Sequence, residues 1–343
     1  MPGEFKKREL RDSCIIVTYT VDNHHHGQRL DQFLRYHYKT RSRNQIQKAI
    51  EDGKVQIKGR LLKPATTLKA GMQIEVVTPF SKEEPAVNLN YKIMYQDPYV
   101  LIIDKPGNLP VHPAGRFITN TLLTDLRIKH ADELKPNENF YLIHRLDRET
   151  SGLLVLAKQK DTARLLIEQF YKRKIEKRYF AVVNGNCKEK QFTVDAPIGP
   201  ATNSAVRLKM AAYPIANPQA AVTEFKVLQR THQYDLIDCK PLTGRQHQIR
   251  VHLAHSGYPL VGDKLYGNHE EYFLKYIEEG KMTESLRSVF CIDRHALHSY
   301  YLKFFHPHLG KHVEFESSLP EDMEKLIYPI NTSIDETTCL KVP

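Results

Sequence analysis

A mainly polar cluster between two apolar runs is the feature of this sequence that most restricts its fold. Residues 144–151 (HRLDRETS) are mostly polar, whereas residues 141–143 before them and 153–157 after them are apolar. Apolar runs of this length are typical of buried strands, so the polar residues between them are predicted to form a loop. Loops held on a buried scaffold are common positions for catalytic groups.

Asp147 is the residue of this loop that is best placed for chemistry. It is flanked by Arg145 and Arg148, and neighbouring positive charges favour an ionised carboxylate. An ionised carboxylate on a fixed loop can act as a nucleophile or as a base. A structural loop in which Asp147 only pairs with an arginine is the alternative, and the residues alone do not separate the two.

The rest of the chain after residue 90 mixes short strands with isolated helices. Helices are predicted near residues 119–130 and 161–174, and strands at residues 152–157, 179–183, 222–228 and 234–238. The strands and helices do not alternate regularly, which argues against a doubly wound sheet. The sequence therefore predicts an α+β fold, with a mixed, largely antiparallel central sheet and flanking helices.

A smaller unit precedes this domain. Leu30, Phe33 and Leu34 fall on one helical face, and a capping box at residues 42–45 (SRNQ) begins a second helix. Two short strand-like segments follow, at residues 55–57 and 72–77. We predict a small α/β module of two helices and a small sheet.

Positive charge is concentrated in this module. The chain has 50 basic and 40 acidic residues, a formal charge of +10. Eight of the basic residues lie in or beside the predicted helices and strands of the module: Arg35, Lys39, Arg41, Arg43, Lys48, Lys54, Lys58 and Arg60. Such clustering favours contact with the phosphates of a nucleic acid, and Arg43 and Lys48 on the second helix are the predicted phosphate-binding residues. A solvated basic face is the alternative.

These patterns divide the chain into five segments. We predict an N-terminal extension of low order over residues 1–21, the basic module over 22–80 and a linker over 81–88. A catalytic domain over 89–320 and a C-terminal tail over 321–343 complete the division. No apolar run is long enough to cross a membrane, and the N-terminus has no apolar leader.

The sequence also predicts the absence of metal, disulfides and nucleotide cofactors. The five cysteines are odd in number and far apart, which argues against a disulfide framework and favours reduced thiols in the cytoplasm. Three adjacent histidines at residues 24–26 rarely meet one ion with good geometry, so no metal site is expected. No glycine-rich phosphate-binding motif is present.

Residues 144–154 (HRLDRETSGLL) resemble the active-site signature of the ribosomal large-subunit family of pseudouridine synthases. Further stretches are similar to the family's other motifs and follow in the same order, at residues 102–113, 177–185, 242–252 and 262–267. Stretches of residues 28–72 resemble the small RNA-binding module of ribosomal protein S four. The resemblance implies the pseudouridine synthase fold and an isomerase that acts on structured RNA.

The resemblance also implies roles for individual residues. Asp147 corresponds to the carboxylate that catalysis in this family cannot lose. Arg145 corresponds to the arginine that fills the space left by the extruded nucleotide, and Tyr179 to the tyrosine that lies against the target base. Arg250 corresponds to the arginine that pairs with the catalytic carboxylate. Asp147, Tyr179 and Arg250 are thus the predicted catalytic residues, and the redox-neutral reaction needs no cofactor.

Several alternatives stay open at this point. Large-subunit ribosomal RNA is the favoured substrate and transfer RNA the alternative. A non-catalytic RNA-binding or ribosome-assembly factor, and a glycoside hydrolase that pairs Glu149 with Asp147, are the rival classes. The carboxylate can attack C1′, remove a proton from C2′ or add at C6, and residue identity does not separate these routes. We expect a monomer.

Overall fold

The computed structural model describes residues 6–11, 14–38, 42–79, 84–115, 117–130 and 139–328. The chain divides into two compact units, the first ending at Glu84 and the second beginning at Pro85. Among the described cysteines, Cys14, Cys187 and Cys239 are free thiols, whereas Cys291 is disulfide-bonded, so the prediction of no disulfide is wrong. The longest helix in the described ranges has 12 residues, and a helix that crosses a bilayer needs about 20 apolar residues.

The first unit is a five-stranded antiparallel sheet with two helices. Its elements are β1 (Lys6–Arg11), β2 (Cys14–Thr20), α1 (Leu30–His37), α2 (Arg43–Glu51), β3 (Val55–Ile57), β4 (Arg60–Leu61) and β5 (Gln73–Pro79). The strand order is β1-β2-β5-β3-β4. The predicted capping box begins α2: the Ser42 hydroxyl accepts from the Gln45 amide, and the Gln45 side chain accepts from the Ser42 amide. Phe33, Ile46 and Ile50 are buried in the core of this unit.

The prediction that residues 1–21 form an extension of low order is wrong for the described part. Strand β2 pairs with β5 along its whole length, from Cys14 opposite Pro79 to Thr20 opposite Gln73, and β1 adds an edge strand. Tyr19 and Ile16 of β2 are buried. The segment is rich in β-branched and aromatic residues that suit a half-buried strand, although charged residues precede it.

The second unit is built on a ten-stranded sheet. Its strands are β6 (Lys92–Gln96), β7 (Val100–Lys105), β8 (Tyr141–Leu142), β9 (Ser151–Ala157), β10 (Glu176–Asn184), β11 (Gln191–Asp195), β14 (Val222–Arg230), β15 (Tyr234–Pro241), β16 (Leu297–His306) and β17 (Lys311–Glu316). The short strands β12 (Gly199–Pro200) and β13 (Met210–Ala211) pair separately. The helices are α3 (Leu122–Lys129), α4 (Lys160–Tyr171), α5 (Gln248–His255), α6 (Glu270–Glu279), α7 (Glu284–Phe290) and α8 (Glu321–Ile327).

The order of the strands shows a sheet made of two halves. The order is β11-β14-β15-β10-β16-β9-β7-β6, with β8 beside β9 and β17 beside β16. The predicted mixed, largely antiparallel sheet is confirmed: among the described strands, only β9 and β16 pair in parallel. Strand β16 is therefore the strand that joins the half containing β9 to the half containing β10.

Gly152 permits the close approach of β9 and β16. Its backbone has a φ of +107°, and a Cβ atom there would lie 2.2 Å from the Ser299 carbonyl oxygen. Glycine is the residue that can adopt this conformation and leave room for a neighbouring backbone. The seven residues of β9 are all buried, so the strand is a rigid support for the loop that precedes it.

The predicted C-terminal tail does not begin at residue 321. Residues Glu321–Ile327 form α8, and its Met323 and Ile327 pack in the cluster that contains Val182 and Leu236 of the sheet. An apolar residue at every fourth position lets one face of this short helix cover the sheet. Residues 329–343 of the predicted tail lie outside the described residues.

Candidate active site

The loop that carries Asp147 is held at both ends by hydrogen bonds. It connects β8 to β9, and the Thr150 amide donates to the Asp147 carbonyl oxygen at 3.2 Å. The Thr150 hydroxyl lies 2.7 Å from His295 Nε2, and the Ser151 hydroxyl lies 2.9 Å from His298 Nδ1. These buried contacts fix the end of the loop to His295, just before β16, and to His298 within β16.

The buried ammonium of Lys105 connects the loop to β7. Lys105 Nζ donates to the carbonyl oxygens of Pro106, Leu109 and Arg148 at 2.8, 3.1 and 3.1 Å. The side chain is fully buried, and burial lowers the pKa of Lys105 to about 7. Three backbone acceptors on two segments therefore meet at one donor, which ties residues 105–109 to the residue after Asp147.

Helix α5 brings Arg250 to Asp147. The Nη1 atom of Arg250 donates to Asp147 Oδ2 at 2.9 Å, while Nε and Nη2 donate to the two carboxylate oxygens of Asp263 at 2.7 and 2.9 Å. The Asp263 carboxylate also accepts from the amides of Leu265 and Tyr266. A buried guanidinium held in this bidentate way has one orientation, and that orientation aims its remaining donor at Asp147.

Gln248 fixes the turn that begins α5. Its side-chain oxygen accepts from the Thr243 hydroxyl at 2.7 Å and the Arg245 amide at 2.9 Å. Its side-chain nitrogen donates to the Val222 carbonyl and lies 2.9 Å from the Thr223 hydroxyl oxygen. All four contacts of this buried amide link residues 243–245 to β14, which sets the position from which Arg250 reaches Asp147.

The carboxylate of Asp147 stays ionised at neutral pH. Burial alone would raise its pKa, but the nearby His247 and Arg250 lower it below the usual value. The His247 ring lies 3.8 Å from Asp147 Oδ2, and burial together with the charge of Arg250 lowers the pKa of His247 to about 4. Because His247 is then uncharged at neutral pH, the permanent charge of Arg250 is what stabilises the ionised carboxylate there.

Asp147 faces a cavity of about 300 Å³, which is the size of a small ligand pocket. The cavity is lined by Arg145, Asp147, Lys177, Tyr179, His247 and Arg250, together with twelve other residues of the same chain. Arg145 is exposed to solvent and forms no salt bridge within the described ranges. The cavity thus combines an anionic group, an aromatic ring and several cations.

Tyr179 contributes a neutral phenol to the cavity wall. It lies on β10, opposite Cys239 of β15 and Ser299 of β16, and only 8% of it is exposed. Burial raises the pKa of Tyr179 to about 12, and the Asp147 charge adds to that shift. The hydroxyl is therefore protonated at neutral pH, which suits a hydrogen-bonding or relay role better than that of a phenolate base.

Glu149 points away from the cavity and does not pair with Asp147. Its carboxylate accepts from Lys264 and Arg148, each at 2.8 Å, and from the His295 amide at 3.1 Å. A carboxylate held in this way is a structural anchor. The arrangement lacks the two facing carboxylates that a glycoside hydrolase needs.

The structure brings four of the six predicted site residues together: Arg145, Asp147, Tyr179 and Arg250 line one cavity. Arg43 and Lys48 lie on α2 of the first unit, where both are exposed. Arg43 lies 3.5 Å from Asp31, and Lys48 forms no salt bridge with any described residue. The predicted positions Lys39 and Arg41 of the basic cluster lie outside the described residues.

Sequence reasoning assigned no role to three residues that the structure places around Asp147. These are His247 beside the carboxylate, Asp263 behind Arg250 and Gln248 under the α5 turn. All three lie in stretches that resemble the family's motifs, at residues 242–252 and 262–267, and this is the signal that could have found them. His247 and Gln248 owe their roles to a left-handed turn at His247, with a φ of 56°, that no spacing rule indicates.

Comparison with known proteins gives consistent matches over both units. A family model described as RNA pseudouridylate synthase matches residues 99–255, and a model described as the S4 domain matches residues 28–74. An uncharacterized RNA pseudouridine synthase of Bacillus subtilis is 34% identical over 316 residues, which cover 91% of this chain and 97% of that relative.

Two further matches extend the comparison. The ribosomal large subunit pseudouridine synthase D of Pseudomonas aeruginosa is 35% identical over 298 residues, 86% of this chain and 90% of that protein. The solved structure of human RNA pseudouridylate synthase domain containing 1 is 27% identical and superposes with a TM-score of 0.54, over 69% of this chain and 86% of its own.

Proposed function

The chain belongs to the RNA pseudouridylate synthase family, and on that premise we propose that it isomerises uridines of large-subunit ribosomal RNA with Asp147 as the catalytic carboxylate. The matches confirm two predictions made from the sequence motifs, the pseudouridine synthase family and the S4-type module. The observation that carries the site assignment is the ionised Asp147, held by Arg250 on the wall of a cavity that also contains Tyr179 and Arg145.

The reaction breaks the N1–C1′ bond of uridine, turns the uracil and forms a C5–C1′ bond. C5 then loses its proton and N1 gains one, so atoms and electrons balance without a cofactor. A uracil in folded RNA must first leave its stack to reach the cavity. Asp147 then acts by one of three routes, through attack on C1′, removal of a C2′ proton or addition at C6, and each route needs the ionised form that Arg250 maintains.

Arg145 is suited to the step in which the nucleotide leaves the stack. It lies at the cavity, its guanidinium is exposed, and it has no carboxylate partner in the described ranges. Unstacking a base costs a few kcal/mol, and a planar guanidinium that enters the gap offsets part of that cost. We therefore assign Arg145 to the RNA rather than to the structure of the loop.

The Tyr179→Phe variant tests the role of the phenol. The ring and its packing are kept, so RNA binding is expected to stay within about twofold of the wild type, while the loss of a proton relay slows the reaction by about 10²–10³-fold. Single-turnover assays with 5-deuterated uridine in the RNA should then show a primary isotope effect that the wild type lacks. An unchanged rate without an isotope effect would mean that Tyr179 supports the base only through its ring.

The Lys48→Gln and Arg43→Gln variants test the first unit. Each is expected to weaken RNA binding and to lower the slope of log affinity against log salt by about 0.7–0.9, because one phosphate contact is lost. The measurement is filter binding over a range of salt concentrations. Lys311→Gln on β17, outside the cavity and outside the first unit, is the matched control. Equal salt slopes for all variants would contradict the assignment of Arg43 and Lys48.

Mapping pseudouridines in cellular RNA tests the proposed substrate. Cells without the gene are expected to lack one or more pseudouridines of large-subunit ribosomal RNA, and wild-type protein should restore them. If pseudouridines are lost only from transfer RNA, transfer RNA replaces ribosomal RNA as the proposed substrate. If no pseudouridine is lost from either RNA, the proposed activity is overturned. We also propose that the protein acts as a monomer, and a ribosomal substrate supports action in the cytoplasm.

A further inference from the structure

A basic groove adjoins the cavity on the side of α4. We define it by residues 170–177, which run from the end of α4 into β10, and residues 240–245, which connect β15 to α5. Six of its lining residues are cations: Lys172, Arg173, Lys174, Lys177, Lys240 and Arg245. The groove and the cavity share Phe170, Lys177 and part of residues 241–245, so they are continuous. A polymer with its target group in the cavity has a path along this groove.

The positive charge of the groove is only partly neutralised, because its lining has six cations and one carboxylate, that of Glu176. Lys172 pairs with Glu168, and Lys240 lies 4.0 Å from Glu224. Arg173 and Lys174 form no salt bridge with any residue in the described part of the chain. Since unpaired cations along a groove attract a polyanion, the charge of the groove is complementary to an RNA backbone.

Tyr171 lies on the rim of this groove and is almost fully exposed. It is the last residue of α4, and 87% of it is accessible, which is more than any other exposed large apolar or aromatic side chain in the described residues. Cations stand next to it in the chain at Lys172 and Arg173. An exposed ring beside cations is the arrangement with which proteins stack the bases of single-stranded nucleic acid.

Arg173 adopts a backbone conformation in which glycine would be more stable. Its φ is +55°, and it follows the end of α4 at the position where helices usually place glycine. The Arg173 amide donates to the Phe170 carbonyl at 3.1 Å, and the Lys174 amide to the Gln169 carbonyl at 2.9 Å. A disfavoured backbone conformation makes Arg173 a candidate for a functional role of its side chain.

From these observations we infer that the basic groove binds the single-stranded RNA segment next to the target uridine. One unpaired base stacks on Tyr171, and phosphates of the same segment contact Arg173 and Lys174. Lys177, at the junction of groove and cavity, lies between this segment and the flipped nucleotide. A single strand fits better than a duplex because only an unpaired base exposes its face to a ring. This inference rests on the proposed function.

Variants of Tyr171 separate stacking from general contact. With a transcript of large-subunit ribosomal RNA as the probe, Tyr171→Ala is expected to raise the RNA concentration for half-maximal single-turnover rate by about tenfold. The rate at saturating RNA should stay unchanged, since Tyr171 does not line the cavity. Tyr171→Phe should behave as the wild type. Tyr171→Leu should behave as the alanine variant, because leucine is apolar but has no ring face. If all three variants reach half-maximal rate at the same RNA concentration, the stacking role of Tyr171 is overturned.

Substitution of Arg173 is expected to affect the stability of the protein and its RNA binding differently. Arg173→Gly is expected to unfold at the same or a higher temperature than the wild type, yet to weaken RNA binding and to lower its salt slope by about 0.7. Arg173→Asn, which also tolerates a positive φ, should show the same binding loss, whereas Arg173→Lys and the distant control Lys311→Gln should not lower the slope. Unchanged binding by both neutral variants would overturn the inference. Wild-type protein that converts no uridine would instead overturn the proposed function.

Discussion

An Asp147→Asn variant is expected to form pseudouridine at least about 10⁴ times more slowly than the wild type. Asparagine has the size of aspartate, and its side-chain oxygen can still accept the Arg250 hydrogen bond at 2.9 Å. It has no charge, so it can neither attack the ribose or the base nor remove a proton. The measurement is the single-turnover yield of pseudouridine in a ribosomal RNA transcript. Thermal unfolding and RNA binding should stay close to wild type.

The matched control for this variant is Asp161→Asn, an exposed aspartate near the start of α4 that does not line the cavity. Its rate should equal that of the wild type. An Asp147→Asn protein that binds RNA and converts uridine at more than about one per cent of the wild-type rate would remove Asp147 from the catalytic role. A variant that fails to fold would be replaced by Asp147→Ser, for which the same loss is expected.

Replacing Arg250 by Met is expected to lower the free energy of unfolding at pH 7 by about 3–5 kcal/mol. The guanidinium is buried between Asp147 and Asp263, and its loss leaves the buried Asp263 carboxylate and the partly buried Asp147 carboxylate without their cation. Activity should fall together with stability, because Arg250 is the cation that orients the Asp147 carboxylate and keeps it ionised. Urea unfolding at pH 7 measures the first effect, and the single-turnover rate measures the second.

The pH dependence of this loss distinguishes an electrostatic role from simple packing. In the wild type the pKa of Asp147 is lowered, so its ionisation stabilises the fold above the usual carboxylate range and the contribution is lost as pH falls. Without Arg250 the burial of Asp147 dominates and raises its pKa, so protonation relieves the unpaired charge as pH falls. The stability deficit should therefore be smaller at pH 5 than at pH 7. A deficit that is equal at both values would indicate lost packing alone.

Local patterns of the sequence predicted much of the fold, whereas the resemblance to a known family predicted the four cavity residues Arg145, Asp147, Tyr179 and Arg250. The capping box of α2 and the loop of Asp147 depend on neighbouring residues, which a sequence displays directly. The β1–β2 pair depends on distant residues instead, because β2 is a strand through its pairing with β5, about 60 residues later in the chain. Lys105 was also beyond prediction, since a lysine that ends a strand is ordinarily exposed, and here three carbonyls from two segments surround its ammonium.

The position of β16 in the sheet determines when, during translation, the catalytic site can assemble. Asp147 precedes β9 in one half of the sheet, whereas Tyr179 lies on β10 in the other, and among the described strands β16 joins the halves. Residues 297–306 are among the last of the second unit to leave a translating ribosome. A nascent chain can complete its cavity only after that point, so a protein truncated before β16 has its first unit and both sheet halves encoded, yet no assembled catalytic site.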